Sequence, residues 1–358
     1  MRVALDCGPL LDPPTGVGRY VDELGRALEA SGVDLVRFAV AMKGSGRESK
    51  GLSIKRLRLP AKVAQASWRR FGRPALESLV GDVDVVHATN FVLPALARTP
   101  GVVTIHDLSF FRDDTFPGGA RLRALVPWSL ERASMIITPT RAVADELVER
   151  FGVGDGRIAV TPEGIAPHFF GAGPLSPLAL GGMGIPGPFI LALGTIEPRK
   201  NLPRLLAAWD SMRGELEEWR LVIAGPRGWG EELRATEGVM LLGRVGDETL
   251  PGLLASAEIF CYPSLYEGFG LPPLEAMAAG TCAVVGSYAA APEVVGEAAV
   301  LVEPTDTEAL AESLRSLAGD ADARRRLAIA GRARALSFTW ERTARLTAAA
   351  YERALGQR

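Results

Sequence analysis

Short apolar runs alternate with amphipathic stretches of helical periodicity along most of the chain, and this alternation constrains the fold more than any other feature of the sequence. Parallel strands need crossover connections, usually helices, which cover both faces of the sheet and leave the strands apolar throughout. The runs predicted as strands are 2–6, 35–41, 53–57, 83–87, 102–106, 135–139 and 158–162, followed by 189–193, 221–224, 239–242, 259–262, 283–285 and 299–302. The sequence therefore predicts an α/β protein built on parallel sheets.

A segment rich in glycine and proline separates the two halves of this pattern. Residues 164–196 carry no formal charge, but their eight glycines and five prolines would break a membrane-spanning helix. The length of 358 residues, at about 150 residues per domain, predicts two doubly wound, Rossmann-like domains that face each other across a cleft. The first covers 1–170, a linker covers 171–188, and the second covers 189–339.

The composition excludes several classes of protein. A net charge of −2 argues against a dedicated nucleic-acid binder, which needs a surplus of Lys and Arg to contact phosphates. Cys7, Cys261 and Cys282 form neither a CxxC motif nor a cluster with histidine, so neither a zinc site nor a disulfide framework is indicated. The N-terminal apolar run is too short for a signal peptide, and we therefore expect a cytoplasmic protein.

The first candidate binding segment is the glycine-rich turn 13–20, which opens a helix. Gly16 and Gly18 would let the backbone approach an anion at the helix N-terminus. A dinucleotide fingerprint needs a third glycine where Val21 stands, so binding of NAD is disfavoured. The alternative is a glycine turn that only packs the helix on a strand.

His106 follows an apolar strand and is the second candidate. A histidine at this position can orient a substrate hydroxyl or share a proton with it. The alternative is a structural histidine that is fully hydrogen-bonded, and this interpretation is favoured for His87, at the end of another strand. His168 precedes two phenylalanines and is predicted to pack against them.

The third candidate is the pair Arg199 and Lys200, at a predicted turn from strand to helix. The chain has 35 Arg but only 5 Lys, and no lysine follows Lys200. A guanidinium beside an ammonium group suits a diphosphate. The alternative is a solvated pair at the start of a helix.

The fourth candidate, residues 264–280, is the most informative stretch. A glycine loop leads into a short helix, whose first amides, near Phe269, Gly270 and Leu271, would point at an anion. Glu267 and Glu275 stand eight positions apart, so both carboxylates can face one ligand and accept hydrogen bonds from sugar hydroxyls. The alternative is that the two carboxylates only stabilise the loop and the positive end of the helix.

These residues together resemble the retaining glycosyltransferases of family 4, which have the GT-B fold. Residues 267–275 look like their E-x7-E motif, and 194–201 resemble their diphosphate-binding turn. The runs 16–20, 106–107 and 161–165 also match, so the resemblance spans nearly the whole chain. It implies retaining transfer from a nucleotide sugar, and a last helix, 340–358, that crosses back to the first domain.

The resemblance also implies a role for each candidate residue. Glu267 would contact the donor sugar, Glu275 the ribose hydroxyls, and Arg199 with Lys200 the diphosphate. His106 would lie beside the transferred sugar.

The glycine-rich turns are assigned to the phosphates in the same way, with the loop of Gly16 closing over them. Many relatives carry Arg directly after the glycine that matches Gly194, whereas this chain has Thr195 in that part of the donor-binding turn. Arg199 is then the residue that stands in for the missing guanidinium.

GDP-mannose is the first candidate donor, because 194–201 most resembles members that transfer mannose or rhamnose-type sugars. We expect two loops of the second domain to read the base through backbone groups near Gly225 and Val245. No cofactor besides the donor substrate is expected, and no metal either, because the cations and the helix N-terminus supply the positive charge. The Asp-x-Asp at 82–84 stands at the start of a strand, away from the predicted site.

The acceptor is predicted to be a glycan or a lipid-linked glycan. Residues 47–79 contain nine Lys or Arg against two Glu, with Trp68 and Phe71 between them. Such a segment suits an anionic membrane surface, which would place the enzyme at the inner face of the membrane. A solvated helix face is the alternative.

Three other functions stay open on the sequence. A nucleotide-sugar epimerase of the same fold would release an altered sugar without an acceptor. A dehydrogenase would bind NAD, and a two-lobed sugar-binding protein would bind without turnover.

Overall fold

The computed structural model describes residues 1–11, 15–42, 53–230, 232–234 and 236–356. Its contacts divide the chain into two compact units. Unit 1 comprises Met1–Gly164 and Thr339–Arg358, and unit 2 comprises Ile165–Phe338. No helix within the described residues is long and apolar enough to cross a membrane.

Within the described part of unit 1, seven parallel strands form one sheet in the order β3-β2-β1-β4-β5-β6-β7. The strands are β1 (Arg2–Asp6), β2 (Asp34–Val40), β3 (Lys55–Leu57), β4 (Val85–Ala88), β5 (Gly101–Thr104), β6 (Met135–Thr138) and β7 (Ile158–Val160). The helices between them are α1 (Gly16–Ala30), α2 (Ala61–Phe71), α3 (Glu77–Val80), α4 (Gly119–Arg132) and α5 (Arg141–Phe151).

The central strands of this sheet are buried at every position because helices cover both faces. All residues of β4, β5 and β6 are buried, as expected for strands of a parallel sheet. In α1, Tyr20, Val21 and Leu24 face the core, and the Thr15 side chain caps the helix.

Within the described part of unit 2, six parallel strands form a second sheet in the order β10-β9-β8-β11-β12-β13. The strands are β8 (Phe189–Leu193), β9 (Arg220–Ala224), β10 (Val239–Gly243), β11 (Ile259–Tyr262), β12 (Cys282–Gly286) and β13 (Val300–Val302). The helices are α6 (Pro177–Gly182), α7 (Leu202–Met212), α8 (Leu250–Ser256), α9 (Leu271–Ala279), α10 (Ala291–Val295), α11 (Thr307–Gly319) and α12 (Ala321–Ala335).

The last helix, α13 (Trp340–Gly356), belongs to unit 1. Its Tyr351 is fully buried, and its Trp340 ring lies 6.1 Å from the ring of Tyr20 on α1. The prediction of two doubly wound, parallel α/β domains with a C-terminal helix that returns to the first is confirmed.

The boundaries between the two units differ from the domain and linker boundaries that the composition of the sequence predicts. Residues 165–170, expected in the first domain, lie in unit 2, where Arg332 donates to the Phe170 carbonyl oxygen. The expected linker 171–188 contains α6, and the N–H of Leu175 donates to Ser256 Oγ at 2.8 Å. Composition shows where a chain lacks charge, but it does not show which unit such a segment packs against.

The strand order identifies where a ligand would bind in each unit. In an open parallel sheet, ligands bind beyond the carboxyl ends of the strands, where the order of strands reverses direction. This point lies between β1 and β4 in unit 1, and between β8 and β11 in unit 2.

The turns that follow β8 and β9 approach each other so closely that one of them requires glycine. The N–H of Gly194 donates to the Ala224 carbonyl oxygen at 3.0 Å. Gly225 has a φ of +152°, and a Cβ placed there would lie 1.9 Å from the Gly194 carbonyl oxygen. Any side chain at position 225 would therefore force the two turns apart.

We expect Gly225→Ala to lower the free energy of unfolding by about 3 kcal/mol or more, through backbone strain and steric overlap. The midpoint of thermal unfolding then falls by about 6–12 °C, measured by calorimetry on the full chain. Gly214→Ala is the matched control, because a Cβ there meets no atom within 4 Å. Equal midpoints for the two variants would contradict the steric argument.

Candidate functional site

The turn after β8 is held against the loop after β11. Residues Pro198–Lys200 form a short 3-10 helix, and Asn201 follows it with a φ of +56°. The Asn201 side-chain amide donates to the Pro263 carbonyl oxygen at 3.0 Å, and the N–H of Leu265 donates to the Arg199 carbonyl oxygen at 2.8 Å. These bonds fix the two segments to each other at the point where the strand order reverses.

The loop after β11 turns into α9 at Gly270. This glycine has a φ of +104°, and a Cβ there would lie 2.4 Å from the Tyr288 hydroxyl. That hydroxyl donates to the Phe269 carbonyl oxygen at 3.4 Å. The helix then starts at Leu271 with proline in its first turn, which is a favoured place for proline because the amide it lacks has no partner within the helix.

Four charged side chains meet where these two segments touch. Lys200 Nζ lies 2.6 Å from Glu267 Oε1 and 2.5 Å from the Tyr262 hydroxyl, which itself donates to Glu267 Oε1 at 2.9 Å. Arg199 donates through Nη1 to Glu267 Oε2, and its Nε pairs with Glu197 Oε1. Among the described residues, this cluster pairs two cations with two carboxylates, and only the Arg199 side chain is more than a tenth exposed.

Burial and charge act against each other on the titratable groups of the cluster. Burial would raise the pKa of Glu267, but the charges of Arg199 and Lys200 outweigh it and lower this pKa to about 2. Burial lowers the pKa of Lys200 below its usual value, although Glu267 opposes the shift. Burial raises the pKa of Glu197, against the opposing charge of Arg199. Glu267 is therefore an anion at neutral pH, held by two cations.

The structure thus brings together Arg199, Lys200 and Glu267, which the sequence selected. It adds Glu197 and Tyr262, which the sequence analysis missed. Glu197 stands two positions before Arg199, but nothing in its type distinguishes a site carboxylate from a solvated one. Tyr262 ends a strand directly before the glycine loop, and only this position in the sequence could have indicated that it belongs to the cluster.

Other predicted donor-binding residues lie in the same unit. Glu275 is buried in α9, and Thr195 and Val245 are half-buried. The N–H of Gly225 donates to the Gly243 carbonyl oxygen at 2.7 Å, so this amide is not open to a base. The prediction that backbone groups near Gly225 read the base is corrected for that N–H, because neighbouring strand ends already use it.

In unit 1, His106 lies two residues beyond β5 and is 8% exposed. Its Nδ1 is 3.2 Å from Glu163 Oε1, and its Nε2 is 2.9 Å from the Thr89 carbonyl oxygen. The ring of Tyr20 packs edge-on at 4.7 Å. Glu163 was not predicted as a site residue, although it lies in the run 161–165 that carried part of the resemblance.

The glycine-rich turn before α1 is described only from Thr15 onward, and residues 12–14 lie outside the described part of the chain. The N–H of Gly18 donates to Thr15 Oγ1 at 3.1 Å, and a Cβ on Gly18 would lie 3.2 Å from the Pro9 carbonyl oxygen. The amide of Gly18 is therefore used in capping the helix, which corrects its assignment to a phosphate. Gly16 is exposed.

The basic segment 47–79 is described from residue 53 onward, so the expectation for 47–52 falls outside the described residues. In α2, Phe71 is 71% exposed, beside the exposed Arg69 and Arg70. Trp68 was expected on the same surface but is buried, and its Nε1 donates to the Pro74 carbonyl oxygen at 3.0 Å. The indole therefore anchors the helix to its own unit.

The described residues contain no group of three or more His, Cys, Asp or Glu side chains arranged to hold a metal ion. In unit 2, a buried charged cluster is formed by Arg199, Lys200, Glu197 and Glu267. A cluster of this kind can exchange its internal ion pairs for an anionic ligand.

Comparisons with known proteins identify the family of the chain. The family model described as "Glycosyltransferase Family 4" matches residues 14–169, and "Glycosyl transferases group 1" matches 185–334. The chain is 32% identical to O-antigen chain mannosyltransferase B of Escherichia coli, over 98% of this chain and 100% of that protein. It is 36% identical to MMP alpha-(1->4)-mannosyltransferase of Mycolicibacterium hassiacum, over 77% of this chain and 72% of that protein.

Among solved structures, sucrose-phosphate synthase from Thermosynechococcus elongatus matches with a TM-score of 0.78 and 21% identity, over 100% of both chains. This match shows the fold. Together with the matches in sequence along both units, it shows that the chain belongs to the family 4 glycosyltransferases, with the GT-B type of fold.

Proposed function

We propose that this glycosyltransferase moves a mannosyl group from a nucleoside-diphosphate mannose, with GDP-mannose as the first candidate, to a glycan or lipid-linked glycan. The anomeric configuration is retained in this proposal. The two curated relatives named above are both mannosyltransferases. The observation that carries the proposal is the buried cluster of Arg199, Lys200 and Glu267 at the carboxyl ends of β8 and β11.

The cluster suits the departure of a nucleoside diphosphate. Negative charge develops on the diphosphate as its bond to the sugar breaks, and cations already in place stabilise that charge with little rearrangement. Arg199 offers a planar fork and Lys200 a point charge. The first amides of α9, near Leu271, add the positive end of a nine-residue helix. We propose that these groups stabilise the charge on the departing diphosphate without a resident metal.

Glu267 forms ion pairs with both cations, Arg199 and Lys200. A diphosphate that binds Arg199 and Lys200 must therefore compete with the Glu267 carboxylate. Once displaced, the carboxylate is free to accept hydrogen bonds from the hydroxyls of the donor sugar. In this proposal, the exchange lets a residue that is paired with cations also contact the donor sugar.

The first test is thermal unfolding of the full chain with GDP, UDP, dTDP and ADP. We expect one nucleoside diphosphate, with GDP first, to stabilise the wild type by about 2.7 kcal/mol at 100 times its dissociation constant. Lys200→Ala removes the ammonium group and should abolish this ligand-induced shift. Lys62→Ala, on the exposed surface of α2, is the matched control and should keep it. No shift with any diphosphate, or equal shifts in both variants, would exclude the proposed diphosphate site.

The second test separates diphosphate binding from transfer. We expect Glu267→Gln to bind GDP about tenfold more tightly than the wild type, because the anion no longer competes with a buried carboxylate. The same variant should transfer mannose at least about 100-fold more slowly, because the carboxylate that contacts the donor sugar is missing. Titration calorimetry and a transfer assay measure the two effects.

The control for this pair of measurements is Glu308→Gln, a change of the same chemistry at an exposed position of α11. It should leave both affinity and rate unchanged. Weaker binding of GDP to Glu267→Gln would mean that the carboxylate positions the cations for the diphosphate and does not compete with it.

We further propose that α2 attaches the enzyme to an anionic membrane surface, where a lipid-linked acceptor would be found. The exposed side of this helix presents Lys62, Arg69 and Arg70 beside Val63 and Phe71, which are 53% and 71% exposed. Apolar side chains flanked by cations are typical of helices that lie in the interface of a membrane. Each Lys or Arg near an anionic surface contributes about 1 kcal/mol to binding.

We expect Arg69→Glu with Arg70→Glu to weaken binding to vesicles that contain phosphatidylglycerol by at least about tenfold in a sedimentation assay. The matched control reverses two exposed charges on α12, Arg325→Glu with Arg326→Glu, and should leave binding nearly unchanged. If both double variants bind like the wild type, or lose binding equally, α2 is not the membrane surface and its cations are solvated.

A further inference from the structure

Both ring nitrogens of His106 face hydrogen-bond acceptors. The Thr89 group 2.9 Å from Nε2 is a backbone carbonyl, which has no proton to donate. The Glu163 group 3.2 Å from Nδ1 is a carboxylate, which donates only when protonated. A neutral imidazole has one N–H and one lone pair, so it can satisfy only one of these two acceptors.

The other buried histidine of unit 1 shows the opposite arrangement. His87 contacts the Tyr351 hydroxyl through Nδ1 at 2.7 Å and Thr104 Oγ1 through Nε2 at 2.8 Å. A hydroxyl can donate or accept, so a neutral imidazole is satisfied there. Burial lowers the pKa of His87 to about 3, as does the nearby His106. His87 is therefore a neutral internal reference for His106.

The geometry around His106 calls for one proton more than a neutral imidazole and a carboxylate carry together. Placed on the histidine, that proton gives an N–H at both ring nitrogens. An imidazolium then donates to the Thr89 carbonyl and to Glu163, and a buried charge gains a counter-ion within hydrogen-bond distance.

The titratable groups that face His106 among the described residues agree with this assignment. Glu163 approaches from the loop after β7, and Tyr20 from α1. Burial, with a smaller effect of the Glu163 charge, raises the pKa of Tyr20, so the phenol stays neutral. His87 on β4 is neutral as well. The carboxylate of the adjacent Asp107 accepts from the N–H and hydroxyl of Ser109.

We propose that Glu163 is a positioning residue that holds His106 as an imidazolium, with both ring N–H groups engaged. His106 then has no lone pair with which to accept a proton from an acceptor hydroxyl. It contributes a fixed position and a positive charge to the transfer reaction. The consequence for transfer rests on the proposed function, whereas the protonation state does not.

The test uses nuclear magnetic resonance of the full chain with 15N-labelled histidine at pH 7.5, without substrate. The chain has only three histidines, so single His→Gln variants assign every ring. We expect both nitrogens of His106 to show the shifts of an imidazolium, and His87 to show those of a neutral ring. A neutral tautomer of His106 in the wild type would overturn the proposal, whichever variants fold.

Glu163→Gln tests the role of the carboxylate. The amide of glutamine can donate to Nδ1, so we expect His106 to become a neutral ring with its proton on Nε2. Glu149→Gln, at an exposed position of α5, is the matched control and should leave the His106 spectrum unchanged. An imidazolium that persists in a folded Glu163→Gln variant would show that Glu163 does not hold the proton.

The pH dependence of transfer supplies an independent readout. If His106 were a general base, His106→Gln would remove a limb of the kcat profile between pH 6 and 8. We expect the variant to have a lower rate but a profile of unchanged shape. Loss of a limb would overturn the proposal, whereas a wild type that transfers no sugar but shows the imidazolium would contradict only the proposed function.

Discussion

The hydrogen bonds between the turn after β8 and the loop after β11 are the constraint on which the charged cluster of unit 2 depends. A parallel sheet places the carboxyl ends of neighbouring strands side by side, and β8 and β11 are neighbours where the strand order reverses. Asn201 and the backbone of Arg199 then tie the two segments together. Cations from one turn and a carboxylate from the other therefore meet in a buried position, although 67 residues separate Lys200 from Glu267.

Burial determines how this cluster can behave. A charged group taken out of water costs several kcal/mol unless a partner compensates it, and here Lys200 and Glu267 are partners for each other. The Tyr262 hydroxyl accepts from one and donates to the other, which satisfies both. The charges of the cluster are thus paired with one another. Under the proposed function, an anionic ligand would bind by replacing some of these ion pairs. Under the same proposal, specificity for a diphosphate would depend on how many of these contacts a ligand can replace at once.

Much of the fold could be predicted from the sequence because a parallel strand buried on both faces must be apolar throughout. The predicted strands end within two residues of the observed ones, as in 189–193 for β8 and 102–106 against Gly101–Thr104 for β5. Lys200 was found because lysine is rare in this chain, and Gly270 because a glycine before two prolines indicates a turn into a helix. The strands, Lys200 and Gly270 could be predicted because a few neighbouring residues in the sequence are enough to indicate each of them.

The features that the sequence did not predict depend on contacts between distant segments. Glu163 and Tyr351 gain their roles from His106 and His87, and His87 is 264 positions from Tyr351. No local pattern indicates such a pair, just as composition did not show that residues 165–170 pack with unit 2.

The two histidines also show that a sequence motif can indicate where a histidine lies without indicating the charge of its ring. His87 lies in β4 and His106 follows the neighbouring strand β5. Both are buried, but His87 faces two hydroxyls, whereas His106 faces a carbonyl and a carboxylate. Hydroxyls supply or accept a proton as needed, whereas carbonyl and carboxylate oxygens only accept one. The charge of each ring is thus a property of the ring together with its partners. A resemblance in sequence predicts that His106 is a site residue, but it does not indicate its partner Glu163, which only the fold brings to the ring.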